Sequence, residues 1–156
     1  MNLTDWSSRR AVLVRLQREL KEKYPEEDYN IFVFGSYIRN DFKDGKSDID
    51  LVLYCQDFRK RDQIAAYLEQ YFKDILPCDI LQYFYSPSAT IFYPAITRGM
   101  PLTDYYPDQL VGELYFLRRY YSKEQAEKKD YARHLRWYEI LLKAGEITER
   151  GGKGIG

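Results

Sequence analysis

Asp48 and Asp50 stand two residues apart in the run Ser47-Asp-Ile-Asp-Leu-Val-Leu-Tyr54, which from Ile49 onward is apolar or aromatic except for Asp50. Successive residues of a strand face opposite sides of a sheet, so Ile49 and Leu51 enter a core while both carboxylates leave the same face. Like charges held together repel, and a hard divalent cation is the usual way to stabilise them. Mg²⁺ suits the pair, because it is typically held by one or two carboxylates together with phosphates and water.

The segment before it supplies a complementary feature. Ile31-Phe-Val-Phe34 is short, apolar and rich in strand formers, and Gly35 bounds it. Ser36 to Asp41 is predicted to form a helical turn. A glycine between strand and turn lets backbone approach a ligand closely, and N–H groups at a helix start favour phosphate. The Ser36 hydroxyl adds a hydrogen bond, and Arg39 lies one turn on, able to meet a triphosphate oxygen or pair with a carboxylate of the cluster. Lys43-Asp-Gly-Lys46 reads as a turn with Gly45 at a positive backbone angle. A further strand, Asp79 to Tyr85, opens with a carboxylate. If the strands are neighbours, Asp79 completes a three-carboxylate cluster able to hold two ions, one on a triphosphate and one on an attacking hydroxyl.

Around this centre the pattern is helical. Val12, Leu13, Leu16, Leu20 and Tyr24 recur at helical spacing among Arg9, Arg10, Arg15, Arg18 and Lys21, which predicts a helix from Thr4 to Lys23 closed by Pro25. Ile64, Leu68, Tyr71, Phe72 and Ile75 predict a second, from Arg59 to Lys73, stopped by Pro77. Residues 86–107 carry little pattern, although Gly99-Met-Pro-Leu-Thr103 suggests a turn into a short extended segment. From Pro107 to Ala144 the chain reads as helix, whether one or two, with stripes Leu110, Leu114, Leu117, Tyr121 and Tyr131, Leu135, Tyr138, Leu142. Gly145 is a candidate C-cap, and nothing in the sequence orders the glycine-rich tail. The expected organisation is a catalytic-type domain over 1–106, a helical extension packed on it over 107–149, and a flexible tail over 150–156.

With 156 residues the chain has room for one core. Its 24 basic and 24 acidic residues balance, which disfavours a protein that grips long nucleic acid by neutralising phosphates. No apolar run approaches the roughly 18 residues of a membrane span, and the first ten residues lack the apolar core of a signal peptide, so a cytoplasmic location is expected. Cys55 and Cys78 lack metal-site spacing and read as reduced thiols. His134 is the single histidine, so a Ser-His-Asp triad could be built only through it, and a structural role is the expected one.

Taken together, Gly35-Ser36-x-x-Arg39 followed by Ser47-Asp48-Ile-Asp50-Leu51 resembles the signature of the nucleotidyltransferase superfamily that includes DNA polymerase β, and the chain's size resembles the minimal nucleotidyltransferases. The likeness runs from about Ile31 to Asp104. It implies an α/β (α+β) fold, a small mixed sheet flanked by helices. It also implies one or two Mg²⁺ ions and an NTP donor, with ATP expected, from which a nucleoside monophosphate is transferred and pyrophosphate released. By the motif match Asp48 and Asp50 would be metal ligands, and Asp79 the third carboxylate, bridging metal or accepting the acceptor's proton. Gly35 and Ser36 would hold the phosphates, with Arg39 and Ser47 on the nucleotide side. Asn40 stands where many relatives have glycine.

The acceptor would be chosen outside the motif, by the region from Tyr105 to Glu149, which holds Tyr105, Tyr106, Tyr115, Tyr120, Tyr121, Tyr131 and Tyr138. These read first as amphipathic packing aromatics, and second as a stacking surface. Arg118, Arg119, Arg133 and Arg136 read as solvated helix faces, with Arg136 and Trp137 an alternative acceptor wall. Three functions follow from the resemblance: nucleotidylation of a hydroxyl on a partner protein, as in minimal nucleotidyltransferases paired with helical toxins; antibiotic-type nucleotidylation of a small molecule; or a docking module that keeps the fold. Homo-oligomerisation is left open.

Overall fold

A four-stranded sheet divides the protein into two hydrophobic layers. The computed structural model describes residues 1–26, 28–83, 88–104 and 107–127, the last five as backbone. In chain order the elements are α1 (Trp6–Lys23), β1 (Tyr29–Phe34), a 3₁₀ turn (Gly35–Ile38), β2 (Ile49–Cys55), α2 (Phe58–Phe72), β3 (Cys78–Tyr83), α3 (Ala89–Arg98), β4 (Met100–Pro101) and α4 (Asp108–Glu127). The strand order is β3-β2-β1-β4. β1 runs antiparallel to β2 and to β4, whereas β2 and β3 are parallel. A parallel pair needs a crossover, and α2 supplies it. The mixed sheet flanked by helices is the fold class the sequence implied.

The strand periodicity sorts side chains between the two layers. Ile31, Val33, Leu51 and Leu53 pack with Leu13, Leu16 and Leu20 of α1 and with Ile64, Leu68 and Phe72 of α2. Phe32, Val52, Tyr54 and Tyr83 pack instead with Tyr93 and Ile96 of α3 and with Leu110, Leu114, Leu117 and Tyr121 of α4. The first α4 stripe is thus its buried face. Asp57 caps α2 by accepting from the N–H groups of Arg59 (3.0 Å) and Lys60 (3.3 Å). Lys60 neutralises the same corner, paired with Glu26 and Asp28 under the ring of Tyr29.

Three expectations change. α3 falls where the sequence showed little pattern, because Pro94 and the β-branched Thr90, Ile91, Ile96 and Thr97 argue against helix. Burial of Ala89, Tyr93, Ala95, Ile96 and Thr97 overrides that local preference. The expected helical turn over Ser36–Asp41 is a shorter 3₁₀ turn that ends at Ile38. Arg9, read as part of the polar face of α1, is 4% exposed and belongs to the interior. The end of β3 at Tyr85, and Tyr105 and Tyr106, lie outside the described residues. So do the second stripe (Tyr131, Leu135, Tyr138, Leu142), Arg133, His134, Arg136, Trp137, Gly145 and the tail. The choice between one helix and two beyond Glu127 falls there too. Among the described residues no helix is long and apolar enough to cross a membrane.

Candidate functional site

Cross-strand register puts the two centres of the motif side by side. Phe34 pairs with Asp50, and Asp50 with Asp79. Paired residues of neighbouring strands share a face, so one row across the sheet reads Phe34, Asp50, Asp79. The next row on that face is Phe32, Val52, Leu81, and the next Asn30, Tyr54, Tyr83. Helices α3 and α4 cover the second and third rows with a hydrophobic cluster that Phe34, Leu81 and Phe92 border as half-buried side chains. Asp79 at the end of the first row is exposed. The carboxylates therefore lie at the rim of the helix-covered face.

The turn after β1 closes on the same row. Gly35 has φ +76°, a backbone conformation that side chains other than hydrogen rarely adopt, and a Cβ there would sit 2.5 Å from Asp50 Oδ2. Glycine is required twice, for its angle and for the space. The next residues form the 3₁₀ turn, with Ser36 half-buried and Ser36 O accepting from the Arg39 N–H at 2.9 Å.

Burial pushes the Asp50 carboxyl up to about 6, the negative charges of Asp48 and Asp79 push in the same direction, and Arg39 opposes them. Asp48, expected on the strand, instead precedes β2, so strand alternation sets the face of Asp50 alone, while the charges of Asp48, Asp79 and Arg39 all act on Asp50. Arg39 is exposed, and its Nε and Nη2 donate to Asp41 Oδ1 and Oδ2, each at 3.1 Å. That two-point bond raises the Arg39 guanidinium above its ordinary value and lowers Asp41 below the usual carboxylate range. Arg39 thus lies in the field of Asp50 while its fork is held by Asp41. The Ser47 hydroxyl accepts from the Lys43 N–H at 2.9 Å and closes the loop between turn and β2.

Whether these residues fit Mg²⁺ can be judged from their chemistry. Among the described residues no three His, Cys, Asp or Glu side chains converge into a ready metal cage. The donor set still matches the ion's habit of using one or two carboxylates and completing its shell with substrate phosphate and water. Asp50, crowded by two like charges and desolvated, is the group that gains most from a cation. Asp48 and Asp50 are the pair that would hold it, and Asp79 borders them.

A surface cavity of about 350 Å³ lies at the opposite end of β1 and β2, lined by Lys23, Tyr24, Glu26, Asp57, Arg59 and Lys60 among others. It is remote from the carboxylates, and Lys60 there is already paired. The row at the Gly35 turn remains the candidate site.

Sequence reasoning put Gly35, Ser36, Arg39, Ser47, Asp48 and Asp50 in one motif and joined Asp79 to it only if the strands were neighbours; the sheet pairs Asp50 with Asp79, and the turn closes Gly35 against Asp50. It missed Asp41, whose signal was a carboxylate two residues beyond an arginine, and Arg9, for which helical periodicity gave no signal. A family model described as nucleotidyltransferase domain matches residues 13–98. No curated protein and no solved structure matches the chain.

Proposed function

The chain belongs to the nucleotidyltransferase domain family, whose model covers more than half of its 156 residues, and we propose that it is an active, Mg²⁺-dependent enzyme that transfers AMP from ATP to a hydroxyl group of a partner protein. The observation that carries this reading is the row Phe34, Asp50, Asp79 with Gly35 closed against Asp50. A carboxylate held where burial and two like charges disfavour its ionised form supports a catalytic or metal-binding role over docking alone.

The roles follow from position. The Gly35-Ser36 backbone, with no side chain at Gly35 to hold a ligand off, receives the phosphates, and the Ser36 hydroxyl adds a hydrogen bond. Arg39, two-point bonded to Asp41, sets positive charge against a triphosphate oxygen. Mg²⁺ held by Asp48 and Asp50 would neutralise the carboxylates and the charge that grows on the phosphates. Asp79, exposed at the end of the row, accepts the acceptor's hydroxyl proton. The hydroxyl oxygen bonds to the α-phosphorus as the bond to the bridging oxygen of pyrophosphate breaks, and pyrophosphate leaves.

The balanced charge of the chain favours a protein or small molecule over long nucleic acid as acceptor. ATP labelled on the α- or the γ-phosphate tests the reaction class in a lysate of the organism that makes the protein. The expected result is α-label on a protein band and γ-label released as pyrophosphate. Label on a small molecule would assign the antibiotic-type reading, and γ-label on the acceptor would refute nucleotidyl transfer.

A further inference from the structure

Arg9 lies outside the stretch that the family model matches, yet it is bound to the backbone of the phosphate turn. Its Nε donates to Tyr37 O at 2.9 Å and its Nη2 to Arg39 O at 3.3 Å, while Nη1 donates to Leu3 O and Thr4 O at 2.9 and 2.7 Å. The guanidinium carbon lies 4.7 Å from the ring centroid of Phe42 and 5.6 Å from that of Trp6. In return the Tyr37 hydroxyl donates to Arg9 O at 2.8 Å, and the Tyr37 ring meets Phe42 edge-on at 5.4 Å. Both Arg9 and Tyr37 are buried. Among the described residues no carboxylate lies within ion-pair distance of Arg9, so backbone carbonyls and ring faces alone compensate a buried cation.

A charge kept inside without a counter-ion is costly unless its N–H groups are satisfied, and lysine could not substitute for it. Three donors on one nitrogen cannot span carbonyls that a planar fork reaches on two sides. The carbonyls concerned are informative. Two belong to the chain entering α1, and two belong to the turn, one at Tyr37 inside it and one at Arg39 just past its end. Arg9 therefore ties the turn to the first helix from behind, on the side away from Asp50. A turn whose Gly35 sits against Asp50 has to be held from both sides if its N–H groups are to keep one direction.

We propose that Arg9 is a positioning residue for the phosphate turn: it fixes the Gly35–Ile38 backbone and the start of the Arg39 side chain for triphosphate binding, without touching the nucleotide. The inference rests on the nucleotide-binding reading above. It assigns to a residue of the N-terminal helix a part of the affinity that the motif alone would otherwise be given.

The test is the affinity gained from the β- and γ-phosphates, measured as the ratio of Kd for AMP to Kd for ATP with Mg²⁺ by calorimetry on the full chain. The wild type is expected to prefer ATP by at least thirtyfold. Arg9→Lys is expected to cut that preference to about threefold while Kd for AMP stays within twofold. A residue needed only for folding would weaken both ligands together or neither. Tyr37→Phe, which removes the reciprocal hydroxyl bond and leaves the edge-on contact with Phe42 in place, serves if Arg9→Lys does not fold, and should lower the preference at least threefold. A folded Arg9→Lys, or Tyr37→Phe in its stead, with the wild-type preference would overturn the proposal. A wild type without any preference for ATP would instead overturn the nucleotide-binding reading on which it rests.

Discussion

Asp50→Asn is expected to make the protein more stable at neutral pH while removing its activity. In the folded chain the Asp50 carboxyl is raised from 3.8 to about 6 by burial and by Asp48 and Asp79. A raised acid favours the folded state while protonated, so its contribution is fully present below about pH 3.8 and is lost as pH rises through about 6. At about 1.4 kcal/mol per pH unit the span amounts to roughly 3 kcal/mol. The carboxyl is half-buried, and solvent screening reduces that to about 1–1.5 kcal/mol. Asparagine has nearly the same shape and no charge, so it removes this cost. In a chain of this size the gain corresponds to about 3–5 °C in Tm. Thermal unfolding followed by far-UV circular dichroism with EDTA, at pH 7.5 and pH 4, measures it. The variant should melt higher at pH 7.5, and the gap should close toward pH 4. Excess Mg²⁺ at pH 7.5 should raise the wild type and leave the variant where it was. A variant less stable than wild type at pH 7.5, or a gap that ignores pH, would refute the placement of a strained carboxylate at this position.

Other perturbations separate the site from its scaffold. Gly35→Ala adds a Cβ 2.5 Å from Asp50 Oδ2 at φ +76°, and should cost about 1–3 kcal/mol in urea unfolding and abolish ATP binding. Asp41→Asn releases the exposed fork of Arg39; Tm should hardly move while KM for ATP rises severalfold, and an unchanged KM would remove Arg39 from the nucleotide side. Tyr83→Phe deletes the 2.7 Å bond to Glu113 that ties α4 to the sheet, and should cost about 1–3 kcal/mol by chemical denaturation. Leu114→Ala empties a position 2% exposed beneath α4 and should cost about 2–4 kcal/mol by the same assay.

The elements that sequence described well are those whose signals are local. Pro25 ends α1 at Lys23 as expected, Gly45 takes the positive angle of its turn (φ +79°), and alternation in β2 sends Leu51 and Leu53 to one layer and Val52 to the other. The carboxylate centre was legible because Asp50 interrupts an apolar strand, and an interruption of that kind needs a reason. Adjacency of Asp50 and Asp79 was conditional on strand pairing, which a single sequence does not specify.

What was missed depends on distant contacts, with one local pair besides. α3 carries Pro94 and four β-branched residues, so propensity argued against it, and only the burial of Tyr93 and Ile96 against α4 and the sheet makes it a helix. Arg9 sat among other basic residues of an amphipathic helix, where arginine normally reaches water. Its acceptors at Tyr37 and Arg39 lie 28 and 30 positions away, and no periodicity reports a backbone carbonyl. Arg39 was expected to choose between phosphate and the cluster, whereas its fork is taken by Asp41, a partner whose own side chain is exposed.

The central claim is tested most directly by comparing the wild type with Asp48→Asn/Asp50→Asn for transfer of α-labelled ATP in the presence of Mg²⁺ and the lysate acceptor, after equal folding has been checked. The expected result is label on the acceptor with wild type and a loss well above tenfold with the variant. Label that survives in the variant at more than a tenth of the wild-type rate would contradict the assignment of these carboxylates to the transfer.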